Sequence, residues 1–217
     1  MVVKILKEVF QLYIDRSDFF LEILLQHIMI CGIAIAIASI IGISLGIIIS
    51  EFKKTTSPVL SLVNFIYTIP SIALLGFFIP ISGIGDKTAI IALTIYALLP
   101  MVRSTYTGIE TIDPAIIESA KSMGSTDYQI LYKIKLPLAT TVILSGLRNM
   151  VVMTIALGGI SSFIGAGGLG VAIYRGITTN NAALTFAGSL LIAVLALLVD
   201  LIIGLIEKFI KRKWKLN

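Results

Sequence analysis

The chain has 217 residues, 57% of them hydrophobic and only 13% charged, about half the usual charged share. Apolar residues come in blocks of twenty or more, too long for core helices of a soluble domain, so the class is an all-α integral membrane protein. The net charge of +5 then reads as a topology signal and a contact for membrane lipid, not as a nucleic-acid interface.

Residues 1–22 carry Glu8, Asp15, Asp18 and Glu22, too many charges to span and unlike a signal peptide. Val2, Ile5, Leu6, Val9 and Phe10 recur three and four apart, which predicts a short interfacial helix. Five spans follow, each near the length a bilayer needs: 23–50, 58–81, 88–109, 138–164 and 184–206. The second carries Pro70 and Pro80, which membrane helices tolerate. Arg103 is expected to anchor the inner end of the third. A basic tail, 208–217, ends the chain. His27 is expected at the membrane surface near the outer end of the first span, and Cys31 as packing within it. One cysteine and one histidine form neither an internal disulfide nor a zinc site, so no metal is expected.

Five spans put the termini on opposite sides. Loops 51–57, 110–137 and 208–217 hold ten Lys and Arg; segments 1–22, 82–87 and 165–183 hold five. The first set is therefore cytoplasmic, with the N-terminus outside and the C-terminus inside.

The cytoplasmic loop 110–137 is long for a connector. Asp113-Pro114 predicts a capped helix start, and Gly124 its end. Thr126 and Gln129 match a capping box for a second short helix, which breaks before Pro137. Ile116, Ile117, Ala120 and Met123 share an apolar face, and Ala120 leaves a gap for close approach by another surface.

Glu118-Ser119-Ala120, three residues, Gly124, nine residues and Ile134-x-Leu136-Pro137 together resemble the EAA loop of binding-protein-dependent ABC-importer permeases. Ser119 stands where that pattern has a second Ala, a small-for-small change. The stretches IPSIALLGFFIPISGIG, YALLPMVRSTYTGI and FIGAGGLG resemble the osmoprotectant branch, which carries glycine betaine, carnitine and choline. The resemblance covers residues 20–207. It implies the five-helix, methionine-permease-like fold of type I importers over 23–207, in a bacterial inner membrane. It also implies that Glu118, Ser119, Ala120 and Gly124, with Ile134, Leu136 and Pro137 of the same pattern, couple to a cytoplasmic ATPase subunit. Further implied partners are a second permease chain, identical or related, and an extracellular or periplasmic substrate-binding protein. The chain lacks G-x-x-x-x-G-K-[ST] and is not itself an enzyme; ATP and Mg belong to the partner. A methionine or amino-acid importer is the alternative within the family. An ion-driven carrier or channel is the alternative outside it.

Gly165, Gly167, Gly168 and Gly170 match G-x-G-x-x-G, but no strand precedes them and no acidic residue follows at the spacing a dinucleotide needs. They are read as a candidate gate near the external mouth, where glycines allow close backbone packing. Arg148 and Asp200 are expected in the inner half of consecutive antiparallel spans, as an intramembrane ion pair or as two snorkelling side chains. Tyr67, Tyr96 and Phe163 are the aromatics offered for a pathway, since aromatic faces hold quaternary ammonium groups.

Overall fold

The computed structural model describes the backbone of residues 2–214 and the side chains of residues 5–212. The side chains of Val2, and of Lys4, Lys213 and Lys215 among the basic residues counted above, lie outside that range. The described residues form an all-helical fold. Four helical stretches are long and apolar enough to cross a membrane, or five if one bent pair counts as a single span.

α1 (Val2–Asp15) leads into α2 (Ser17–Glu51), so the first span starts at Ser17 and the expected boundary at residue 22 falls inside it. α2 is apolar on all sides, which suits burial among helices and lipid. Its buried positions Cys31, Ala34, Ala38, Gly42 and Gly46 make one stripe of small residues. Gly42 and Gly46 of this stripe face α5 (Asp86–Glu110). A Cβ on Gly42 would stand 2.7 Å from Cβ of Met101, and one on Gly46 2.5 Å from Cβ of Thr105. Lipid leaves little hydrophobic drive between helices, so such close approach carries the association. α8 (Leu136–Gly158) meets α5 in the same way: a Cβ on Gly146 would stand 2.1 Å from Cβ of Ser104. α5 is therefore the central helix, between α2 and α8.

The expected second span is not one straight helix. α3 (Lys53–Thr68) and α4 (Ser71–Ser82) meet at 99°. Proline forces the residue before it into extended backbone, and Ile69, with ψ 127°, obeys. The bend is held by Tyr96, whose hydroxyl donates to the Ile69 carbonyl.

The opposite correction applies at Pro137. The second short helix does not break there. α7 (Asp127–Ile130) runs through a π-helical turn, Leu131–Lys135, directly into α8. Leu136 N–H bonds back five residues to the Leu131 carbonyl. The wider turn makes room for a proline ring that an ordinary α-turn would crowd. Likewise α10 (Ala182–Trp214) continues without a break into the expected tail, as far as Trp214. At 1.5 Å per residue its 33 residues reach about 50 Å.

α1 does not lie free. It packs along α10, with Val9 buried and Tyr13 Oη donating to the Ala187 carbonyl at 2.8 Å. The inward set is Ile5, Val9, Leu12 and Tyr13, while Leu6 and Phe10 are exposed. Within the expected loop 165–183 lies a nine-residue helix, α9 (Gly170–Thr178), which also packs on α10.

Candidate functional site

Two clusters sit at opposite ends of α5. At its last residue, Glu110, the chain enters α6 (Pro114–Ser122). Asp113 caps α6 by accepting from Ala115 N–H at 2.9 Å, with Pro114 at the first helical position. The helix ends in a left-handed Gly124 at φ 84°. Ser125 N–H reaches back to the Ala120 carbonyl and Gly124 N–H to that of Lys121, the paired bonds of a Schellman stop. Thr126 and Gln129 then form both halves of the capping box.

Glu118 and Ser119 are exposed, and Ser119 Oγ donates to the Ala115 carbonyl at 2.7 Å. Ala120 is not the outward gap expected of it: it is 7% exposed and turned into its own chain. The expected common face is split as well, since Met123 is 86% exposed and Ile116 also lies open. Ile134, within the π-turn, and Leu136 and Pro137, at the start of α8, are half-buried supports of the loop, not parts of its outer surface.

Ion pairs that the sequence did not disclose tie residues 110–137 to two other helices. Lys135 binds Glu51 at the end of α2 at 2.6 Å. Lys53 at the start of α3 binds Glu110 of α5 at 2.7 Å. Exposed pairs of this kind contribute little stability each, but together they fix direction. They border a recess of about 270 Å³ whose lining includes Ile117, Glu118 and Lys121.

The other cluster is the glycine loop. A short 3₁₀ turn, Ser161–Ile164, ends α8 and stops at Gly165, which is left-handed at φ 74°. Three successive N–H groups are then accepted by side chains of two other helices. Gly167 donates to Asp86 at 2.8 Å, Gly168 to Gln26 at 3.2 Å and Leu169 to His27 Nδ1 at 3.3 Å. His27 Nε2 in turn lies 3.1 Å from the Ile155 carbonyl of α8. Two such partners select the neutral ring with its proton on Nε2. His27 is thus not a membrane-surface residue: at 1% exposure it is a buried cross-link between α2, α8 and the loop. Gly168, at φ 95°, lies against the imidazole, where a Cβ would sit 3.0 Å from Nδ1. All four candidate glycines are brought together here. Gln26, His27 and Asp86, which hold them, were missed; three polar residues at the ends of apolar spans were the available signal.

Arg148 and Asp200 do pair, in a two-pronged contact of 2.5 Å and 2.6 Å. Gly204 allows it, because all three terminal guanidinium atoms lie 3.2 Å from where its Cβ would be. Glu207 adds a second carboxylate at 3.9 Å from Arg148, itself bonded to Lys211 at 2.7 Å and to Ser145 at 3.2 Å. Its spacing of seven from Asp200 and four from Lys211 was the signal in the sequence. Tyr67 and Tyr96 meet edge to face at 5.8 Å, but Phe163 lies apart from them, against Tyr174 at 5.1 Å.

Residues 38–212 match the family described as binding-protein-dependent transport system inner membrane component. The chain is 39% identical over 204 residues to the carnitine transport permease protein OpuCD of Listeria monocytogenes, covering 94% of this chain and 92% of that one. It is 38% identical over 206 residues to the glycine betaine/carnitine/choline transport system permease protein OpuCD of Bacillus subtilis, covering 94% and 90%. Among solved structures, the inward-facing MetNI methionine ABC transporter superposes with a TM-score of 0.82 at 23% identity, over 88% of this chain and 95% of that one. That likeness concerns the fold.

Proposed function

The chain belongs to the binding-protein-dependent transport system inner membrane components, and from that membership we propose that it is the permease subunit of an ABC importer for quaternary ammonium osmoprotectants. Glycine betaine, carnitine and choline are the substrates that its relatives' names carry over most of their length. On this reading the chain spans a bacterial inner membrane with the α6 end in the cytoplasm. A second permease chain completes the pathway, an external binding protein delivers substrate, and an ATPase subunit holding ATP and Mg docks on the α6 loop.

The single observation that carries the coupling role is the build of α6. It is capped at both ends, exposes Glu118, Ser119 and Ile116, and leads at either end into chain that Lys53–Glu110 and Lys135–Glu51 brace against α3 and α2. A push on such a helix travels as a rigid-body shift rather than dissipating in a soft loop. The continuous stretch from Asp127 to Gly158 carries it toward the glycine loop. The Ser119→Trp variant tests this in proteoliposomes with the ATPase and binding protein. Binding-protein-stimulated ATP hydrolysis and uptake are expected to fall at least about tenfold, the loss of a well-packed contact, with unchanged helical content. Wild-type uptake by Ser119→Trp overturns the assignment.

The glycine loop is proposed as the outer gate, since it latches α2 and α5 through three backbone donors, with His27 passing the link on to Ile155 of α8. A Cβ on Gly167 would meet Gln26 Oε1 at 2.4 Å, the acceptor for Gly168. Gly167→Val therefore displaces that amide and leaves a donor unmet, a cost of about 1–3 kcal/mol. Uptake is expected to drop with assembly intact, because the glutamine can swing away. Normal uptake in normally assembled Gly167→Val would remove the gate reading.

A further inference from the structure

Arg103 stands seven residues before the end of α5, about 10 Å inside it at 1.5 Å per residue. From Thr88 to Val102 every α5 side chain is buried or half-buried; Arg103 is where the helix surface opens. Among the described residues its guanidinium has no ion pair and no hydrogen bond. Arg148, the other arginine within a span, is held by Asp200. An unpaired charge at such depth does not face lipid; it faces water or a protein interior.

Arg103 lines a recess of about 300 Å³ with Tyr67, Leu99, Pro100 and Ser104. Tyr67 is held on two sides. Its hydroxyl donates to Met153 Sδ at 3.3 Å, and its ring meets Tyr96 edge to face. It nevertheless keeps 42% of its surface open. Tyr96 is spent on the Ile69 carbonyl and is buried, so it offers no comparable face.

We propose that Arg103 and Tyr67 form a transit subsite for a zwitterion, the guanidinium taking a carboxylate and the open tyrosine face taking a quaternary ammonium. The inference rests on the osmoprotectant reading above and sharpens it. A guanidinium presents a planar fork that matches a carboxylate with two parallel bonds. An aromatic face attracts a quaternary ammonium that cannot donate hydrogen bonds. Glycine betaine and carnitine carry both groups. Choline carries the ammonium and a hydroxyl, so Arg103 can offer it only a single bond to an uncharged oxygen and repels its charge.

Substrate selectivity tests the subsite in the complete transporter, reconstituted with its ATPase and binding protein and supplied with glycine betaine or choline. Arg103→Gln is expected to lower glycine betaine uptake roughly tenfold or more, the size of one charge-assisted bond, while choline uptake holds or rises. Tyr67→Leu is expected to lower both, and Tyr67→Phe neither. Equal loss of both substrates in Arg103→Gln, or loss of neither, overturns the subsite while leaving the importer reading in place. A wild-type complex that carries neither compound overturns the substrate reading and the subsite together. Should Arg103→Gln not assemble, Arg103→Lys keeps the charge and loses the fork. A selectivity shift toward choline in that variant supports the subsite, and an unchanged ratio overturns it.

Discussion

Gly170→Ala is expected to prevent the permease from reaching its assembled state. Gly170 is the first residue of α9, and its backbone lies directly on the end of α8. An added Cβ would fall 2.0 Å from the Gly159 carbonyl oxygen and 2.8 Å from its carbon. No side-chain rotation relieves a clash with backbone, so α9 must lift away. That lift pulls on Leu169, Gly168 and Gly167, whose N–H groups are held by His27, Gln26 and Asp86. Strain and broken bonds combine, and a loss above about 4 kcal/mol is expected, in the range reserved for such changes. Gly32→Ala and Gly76→Ala are the controls, because a Cβ at either meets nothing within 4 Å. Thermal unfolding in detergent reads the difference. A Gly170→Ala protein that melts within about 2 °C of wild type would show that α9 shifts freely and that the latch is not rigid.

Asp200→Leu is expected to have the second-largest effect. It strips Arg148 of both short contacts and leaves only Glu207 at 3.9 Å, a carboxylate already bonded to Lys211. An arginine without its partner inside a membrane helix bundle is strongly unfavourable, whereas removing both charges leaves nothing unpaired. Assembled protein in the membrane is expected to fall at least about tenfold in Asp200→Leu and to recover largely in Arg148→Met/Asp200→Leu. Uptake by the recovered double variant then reports what the pair does beyond holding α8 to α10. Gly204→Val should resemble a mild Asp200→Leu, since its side chain pushes the guanidinium off α10. If the double variant assembles no better than the single one, charge compensation is not what binds these helices.

These two sites differ in how far they could be read beforehand. The α6 loop was legible almost residue by residue, down to the Asp113 cap, the left-handed Gly124 and the Thr126–Gln129 box. Each of those interactions closes within five residues of chain, so residue type and order suffice. The Arg148–Asp200 pair was legible as an alternative, because charge inside an apolar span demands a partner. Its third and fourth members, Glu207 and Gly204, were only half legible: spacing puts Glu207 on the helix face of Asp200, but nothing in the sequence says which way that face turns. Ala120 shows the same limit within the legible loop: its small size was seen, but not that α6 turns it inward.

By itself the sequence determined the class, the number and approximate position of the apolar segments, and the local caps, since hydrophobic length and turn chemistry are local properties. Only the tertiary structure decided how the segments bend and touch. It made the second segment an angle of 99° at Ile69–Pro70, joined α7 to α8 across Pro137, and buried His27 between a carbonyl and an amide. Lipid and protein interior are equally apolar, so hydropathy cannot tell a face that meets one from a face that meets the other. Backbone groups donated across more than a hundred residues, as from Leu169 to His27, exist only once the helices are packed.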